Sequence, residues 1–341
     1  MAANKSLQEI ARALVAPGKG ILAADESTGS IQKRLESIGV ESTEENRRAY
    51  RDLLFTTRGV GEFISGVIMF DETIRQKASD GTPFPKVLEK EGIIPGIKVD
   101  TGGHPLAFSP EEKVTEGLDG LRKRLIEYRE LGAKFTKWRA IIDIAGAEIP
   151  TRYCLEVNAH ALARYAALCQ DEGLVPIVEP EVLMDGDHDI DRCYEVSTRT
   201  LATVFGELEA QRVSLSGMLL KPNMIVPGKK SSKQVDHGTI AEMTVKALTA
   251  SVPAEVPGIV FLSGGMSDED ATARLNEMNK LGPHPWELSF SYGRALQAPT
   301  LKAWKGEPAN VDAGQKAFYH RAKMNSLARS GSYSADMESA A

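Results

Sequence analysis

Six charged residues interrupt short apolar runs of this sequence: Asp25, Lys98, Lys137, Glu179, Glu181 and Lys221. Ionised side chains are costly to desolvate, so charges set in strand-like hydrocarbon ask for a chemical use. Three are amines and three are carboxylates. The clearest run is Gly217-Met-Leu-Leu-Lys221-Pro-Asn-Met224. Burial disfavours the ammonium form and drives a lysine towards the neutral nucleophile. A free lysine has a pKa of about 10.4, and lowering it by about three units takes roughly 4 kcal/mol. Desolvation and a neighbouring ammonium together supply that much. The neutral amine then attacks a carbonyl to form a Schiff base. Neighbouring carboxylates shuttle protons during carbinolamine formation and C–C bond cleavage. Lys137 and Lys221 compete for the nucleophile's place, and the more apolar run favours Lys221.

Eight runs read as strands: residues 20–25, 64–70, 94–100, 134–142, 175–181, 217–222, 258–264 and 286–292. Helical patterns separate them. Ser42-Thr-Glu-Glu45, Ser109-Pro-Glu-Glu112 and Ser267-Asp-Glu-Asp270 each read as a helix start. The second is expected to run through Leu118, Leu121, Leu125, Tyr128 and Leu131 and to stop at Gly132. Strand and helix alternate every 30 to 45 residues or so, which means parallel pairing through crossover helices. Eight units predict one α/β domain over 1–330, a closed (β/α)8 TIM barrel. An open doubly wound sheet is the alternative, but no GxGxxG follows the first strand. Leu7, Ile10, Ala11, Leu14 and Val15 predict an amphipathic N-terminal helix, with Ser6 and Glu9 as a capping box. The small, polar stretch 331–341 reads as a loosely held, flexible tail.

Side chains alternate faces along a strand, so Lys137 shares a face with Arg139, Glu179 with Glu181, and Lys221 with Asn223. Most of these charges lie towards the C-terminal ends of their strands, where barrels assemble active sites. They can therefore meet at one mouth; the competing reading is a set of structural ion pairs. Phe261-Leu-Ser263-Gly264-Gly265 and Phe290-Ser291-Tyr292-Gly293-Arg294 end the seventh and eighth strands. Glycine amides and an arginine at a helix start suit a phosphate there. Ser27-Thr-Gly-Ser30-Ile-Gln-Lys33-Arg34 after the first strand is a second anion candidate.

Other signals carry less. Asp185-Gly-Asp187-His188-Asp189 has the look of a metal loop, but the six histidines are scattered without HxH or HxxxH spacing, so no metal is expected. Gly228-Lys-Lys-Ser231 lacks the earlier glycine of a P-loop, and its lysines read as a solvated loop. Cys154, Cys169 and Cys193 suit structural thiols in a reducing compartment. A net charge of −6 argues against nucleic acid and anionic membranes as main partners. Residues 7–15 read as an amphipathic helix and not as a signal-peptide h-region, and no run approaches the roughly 18 apolar residues expected of a membrane span.

Taken together, Gly20-Ile-Leu-Ala-Ala-Asp-Glu-Ser-Thr-Gly-Ser30, Gly96-Ile-Lys-Val-Asp100, Lys137-Trp-Arg139, Val178-Glu-Pro-Glu181, Leu219-Leu-Lys-Pro-Asn223, Leu262-Ser-Gly-Gly265 and Ser289-Phe-Ser-Tyr-Gly-Arg294 resemble class I fructose-bisphosphate aldolase, in order over nearly the whole chain. The resemblance implies a cytoplasmic, homotetrameric lyase of glycolysis and gluconeogenesis. Such an enzyme needs neither metal nor cofactor, and reversibly cleaves fructose 1,6-bisphosphate to dihydroxyacetone phosphate and glyceraldehyde 3-phosphate. It implies Lys221 as the Schiff-base lysine and Glu179 as the acid/base of imine formation. Asp25 then acts at the C4 hydroxyl, with Lys137 and Glu181 in support. It places one phosphate on Ser263, Gly264, Gly265, Ser291 and Arg294, with Gly293 in the same motif. Ser27, Ser30, Arg34 and Lys98 face the other end of the substrate, and Arg139 lies beside Lys137. Other imine-forming phosphosugar lyases, a metal-dependent aldolase and a non-catalytic sugar-phosphate scaffold are the rival readings.

The sequence departs from the family in two places. Thr101-Gly-Gly-His104 replaces a frequent Lys-Gly. Animal members end in a tyrosine on a mobile tail that reaches the active site; here the last tyrosine is Tyr333, before Met-Glu-Ser-Ala-Ala341. The resemblance therefore assigns neither the preference between bisphosphate and monophosphate nor the route of the later proton transfer.

Overall fold

Each of the eight apolar runs becomes one stave of a closed parallel barrel. The computed structural model describes residues 2–339, with side chains from residue 6 onward. The strands are β1 (Gly20–Ala24), β2 (Ile64–Met69), β3 (Ile94–Lys98), β4 (Gly102–Leu106), β5 (Ser109–Glu116), β6 (Phe135–Ile142), β7 (Val175–Val182), β8 (Leu219–Leu220), β9 (Gly258–Phe261) and β10 (Glu287–Tyr292). The barrel order is β1-β2-β3-β6-β7-β8-β9-β10, closing back on β1, and β4 and β5 form a separate antiparallel pair. The fold is an α/β (β/α)8 barrel.

The strands read as continuous hydrocarbon because both faces are covered. Outward residues such as Leu22, Val67, Ile97, Trp138, Val178 and Ile259 join the main core beneath the helices. Inward residues Ile21, Ala23, Ile68, Phe135, Val175, Ile177, Leu219 and Val260 form a second cluster with Leu7, Ala11 and Leu14 of the N-terminal helix (Ala2–Leu14) and with Val15 just after it. That helix thus seals the lower end of the barrel. Phe135 fills the space that two glycines leave: a Cβ on Gly96 would lie 2.3 Å from its ring, and one on Gly66 3.1 Å.

Two expected helix starts hold. Thr43 caps the helix Glu44–Phe55 and Ser267 caps Asp268–Lys280, each accepting from a backbone N–H three residues on. Two do not. The N-terminal helix begins at Ala2, so Ser6 lies inside it. Ser109-Pro-Glu-Glu112 opens β5 instead of a helix; the helix there is Leu121–Glu130, entered through Gly120 in the left-handed region. The Ser109 hydroxyl does donate to Glu112 (2.8 Å), but Glu112 also accepts from Thr151 N–H and Oγ1 (both 2.7 Å), so it ties the β4–β5 hairpin to the next helix. The stretch expected to be loose is tethered. Tyr333 is 7% exposed; its N–H donates to Asn276 (2.9 Å) and its hydroxyl to Glu338 (2.9 Å), which also pairs with Arg321. Ala340 and Ala341 lie outside the described residues. Among the described residues no helix is long and apolar enough to cross a membrane.

Candidate active site

The inward face of each strand changes character near its C-terminal end. Phe135 is followed inward by Lys137 and Arg139, Ile177 by Glu179 and Glu181, Leu219 by Lys221, Gly96 by Lys98, and Ala23 by Asp25. Period-two alternation makes this a layer of charge standing on the apolar floor. Strand register brings the layer together: Lys98 pairs with Lys137 across β3 and β6, and Arg139 with Glu179 across β6 and β7. Lys137 Nζ lies 2.8 Å from Asp25 Oδ2 and 3.0 Å from Glu179 Oε2, and Lys221 Nζ lies 3.1 Å from the other Glu179 oxygen. Arg139 pairs with Glu181, and Lys98 with Asp100 at 2.7 Å. All six charges converge on one mouth.

Burial and charge compete at each group. Burial alone would lower the Lys137 pKa, but the Asp25 and Glu179 carboxylates outweigh it and raise it. Burial alone would raise Asp25, and Lys137 followed by Lys221 holds it well below the carboxylate range. Glu179 follows the same pattern, with Lys137 the larger influence. Lys137 is therefore fixed as an ammonium between two carboxylates, contrary to its expected candidacy as a neutral nucleophile. Lys221 faces one oxygen of a carboxylate that Lys137 already neutralises. The geometry leaves Lys221 as the amine with the fewer ionic partners.

The mouth opens into a cavity of about 1220 Å³, with the residues of the two expected anion sites lining opposite corners. On one side, β9 is followed by Ser263, Gly264 and Gly265, with φ of +54° and +86° at the glycines. Ser291 is the penultimate residue of β10, and Gly293 precedes the helix Arg294–Trp304. Both glycines need the left-handed region that lacks a Cβ penalty. The Ser291 hydroxyl is buried, lines the cavity and has no hydrogen-bond partner among the described residues. A buried unpaired hydroxyl is costly, and a bound anion would satisfy it. On the other side, Ser27 precedes the helix Thr28–Glu36, and its hydroxyl lies 3.2 Å from that of Ser30. Arg34 projects from the same helix into the cavity. Every expected site residue lines this single space.

The model of the glycolytic fructose-bisphosphate aldolase class-I family matches residues 6–341. This chain belongs to that family. It is 59% identical over 330 residues to the "Probable fructose-bisphosphate aldolase class 1" of Xanthomonas campestris pv. campestris, covering 96% of this chain and 98% of the relative. It is 54% identical over 323 residues to the cytosolic fructose-bisphosphate aldolase 4 of Arabidopsis thaliana, covering 94% and 82%. A solved structure of fructose-bisphosphate aldolase from Plasmodium falciparum, in complex with TRAP and a small-molecule inhibitor, superposes with a TM-score of 0.97 at 49% identity, over 98% of this chain and 96% of that one.

Three charged residues that line this cavity were not singled out from the sequence. Glu26 carries a buried carboxylate between Arg34 and Arg51, the latter at 2.6 Å, and also accepts from Gln297 at 2.9 Å. Asp100 accepts from the N–H groups of Gly102 (3.1 Å) and Arg139 (3.2 Å) while pairing with Lys98. Each stands one or two positions from a strand-end charge, which was the available signal. The third is Lys229, read as part of a solvated loop; it lines the aldolase cavity and pairs with Asp185 at 2.7 Å. Asp185 is thereby engaged by a lysine, and Asp189 caps the helix Ile190–Ala210. No three His, Cys, Asp or Glu side chains among the described residues are grouped to hold a metal ion.

Proposed function

We infer that this chain reversibly cleaves fructose 1,6-bisphosphate to dihydroxyacetone phosphate and glyceraldehyde 3-phosphate through a Schiff base on Lys221. One observation carries the assignment: Lys137 is clamped by two carboxylates, whereas Lys221 faces only the carboxylate they share. Lys221, as the free amine, attacks the C2 carbonyl of the open-chain ketose. Glu179, 3.1 Å from that amine, first takes a proton from its ammonium form, freeing the nucleophile, and then returns that proton to the carbinolamine hydroxyl, which leaves as water. The protonated imine draws electrons from the C3–C4 bond while Asp25 takes the C4 hydroxyl proton. Lys137 keeps Asp25 and Glu179 ionised and apart, and Glu181 holds Arg139 at the rim. Ser263, Gly264, Gly265, Ser291, Gly293 and Arg294 hold one phosphate. Ser27, Ser30, Arg34 and Lys98 contact the other end of the substrate. Two corners flanking one amine suit a substrate with a phosphate at each end of a six-carbon chain.

The catalytic unit is the barrel of residues 1–330, followed by a tail from 331 to 341. The same reading makes the protein a cytoplasmic homotetramer without nucleic-acid or membrane partners. The cytosolic Arabidopsis relative and the family resemblance support this, and sedimentation tests the oligomer. The chemistry is tested by incubating the protein with fructose 1,6-bisphosphate, reducing with borohydride and mapping the adduct by mass spectrometry. The expected adduct sits on Lys221 and is absent in Lys221→Met, which keeps its fold but loses turnover. An adduct on Lys137, or none on any lysine, overturns the assignment.

A further inference from the structure

Lys229 is held in place by its backbone before its side chain does anything. Three successive amides of its loop donate to the loop after β7: Gly228 to His188 O (2.8 Å), Lys229 to Met184 O (2.7 Å) and Lys230 to Gly186 O (3.0 Å). The two backbones approach so closely that a Cβ on Gly228 would lie 2.2 Å from the Gly186 carbonyl oxygen. A lysine on a backbone fixed in this way projects into one region, which removes part of the ordering cost of binding.

That region is the Ser263–Gly264–Gly265 corner. A Cβ on Gly265 would lie 2.8 Å from Lys229 Nζ and 3.1 Å from Arg294 Nη1. A loop lysine and an arginine at a helix start thus flank one left-handed glycine, in the same cavity as the buried Ser291 hydroxyl, which has no partner among the described residues. The acid that pairs with Lys229 is Asp185, whose side chain is 62% exposed, and Lys229 itself is 40% exposed. Exposed pairs of this kind are weak and easily exchanged. A phosphate dianion between the ammonium and the guanidinium is a stronger partner than a solvated carboxylate.

We propose that Lys229 is a substrate-binding residue for the phosphate at the Gly264–Gly265–Arg294 corner, and that it moves from Asp185 to the phosphate when substrate binds. This rests on the aldolase reading above. The residue touches the phosphate and takes no part in proton transfer. It therefore sets affinity, and the preference for a phosphate over an uncharged group at that end, without setting the rate of bond cleavage.

Steady-state kinetics on Lys229→Met, Lys229→Arg and Asp185→Asn, with inorganic phosphate as competing ligand, tests this. Lys229→Met should raise KM for fructose 1,6-bisphosphate and the inhibition constant of inorganic phosphate by about tenfold, the worth of one charge-assisted hydrogen bond at a partly exposed position. Its kcat should stay within about twofold, since binding lost equally in ground and transition states changes KM alone. Lys229→Arg should restore most of the affinity. Asp185→Asn should leave KM unchanged or lower it, because it frees the lysine. An unchanged KM and phosphate constant in Lys229→Met overturns the proposal. An equal rise in Asp185→Asn also overturns it, because the pair would then be a brace for the loop. Borohydride trapping of the Lys221 adduct is run on each variant. Retained trapping with unchanged phosphate affinity refutes Lys229 alone, whereas absent trapping in the parent protein refutes the aldolase reading.

Discussion

Replacing Lys137 with methionine keeps most of the side chain's volume and removes its charge. The lost ammonium lies 2.8 Å from Asp25 and 3.0 Å from Glu179, and the three side chains are 13% exposed or less. Water therefore does not take its place. Glu179 retains Lys221 at 3.1 Å, but Asp25 is left with the weaker attraction of Lys221 and Lys98. Deleting one member of a buried ion pair costs about 3–5 kcal/mol. Adding Asp25→Asn removes the stranded charge and should recover about 1–3 kcal/mol of that loss, the range of coupling between contacting residues. Acidity gives a second measure. In the parent protein Asp25 and Glu179 titrate below their unfolded values. Their stabilisation is complete above the unfolded carboxylate pKa of about 4, and is lost as pH falls through the lower native values. In Lys137→Met Asp25 loses its strongest opposing charge while its burial remains, so its native pKa rises from the parent's depressed value. The variant's stability deficit against the parent should therefore shrink as pH falls from about 7 towards about 3. Urea midpoints at both pH values, for the parent, both single variants and the double variant, give every quantity. A single variant within about 0.5 kcal/mol of the parent, or a double variant no more stable than Lys137→Met, refutes the reasoning.

Three further outcomes are expected. Gly96→Ala should cost about 1–3 kcal/mol or more by overpacking against Phe135, and Phe135→Leu in the same chain should return part of it, read as a thermal midpoint. Glu26→Gln should leave Arg34 and the buried Arg51 without their shared counter-charge, costing about 3 kcal/mol and raising KM for the bisphosphate; unchanged stability and KM would remove Glu26 as the anchor of Arg34. Leu14→Ala should cost about 2–5 kcal/mol by opening a cavity in the barrel floor, while kcat per folded molecule holds, because the floor lies below the charged layer.

Much of this arrangement was legible before any coordinates. The eight barrel strands could be read because each is buried on both faces and so stands out as unbroken hydrocarbon. The charged layer could be read because Lys221 or Glu179 in such a run has no structural excuse. The β4–β5 hairpin could not. His104 and Pro105 give β4 no apolar run, and Ser109-Pro-Glu-Glu112 has the spacing of a capping box although its serine hydroxyl donates to the glutamate carboxylate within a strand. The state of Lys137 was also hidden. Its ammonium is fixed by carboxylates on β7 and beyond β1, and nothing local to Lys137-Trp-Arg139 reveals two partners so distant in sequence. Lys229 shows the same limit from the other side: a loop lysine becomes a wall of the cavity only because backbone amides from Gly228 to Lys230 fasten it to another loop.

The passage from floor to charge has a consequence for assembly. Along β6 and β7 the inward side changes from hydrocarbon to ion within one two-residue step, a rise of about 6.6 Å. If either strand slid by two residues while the barrel closed, its inward side would stay inward, but an ionised group would be carried down among Phe135, Val175 and Leu219. A slide by one would turn the charges outward beneath the helices. Both errors bury a charge without its partner. The side chains proposed to perform catalysis would therefore also proofread the stagger at which the barrel closes, a check that a barrel filled uniformly with hydrocarbon would lack.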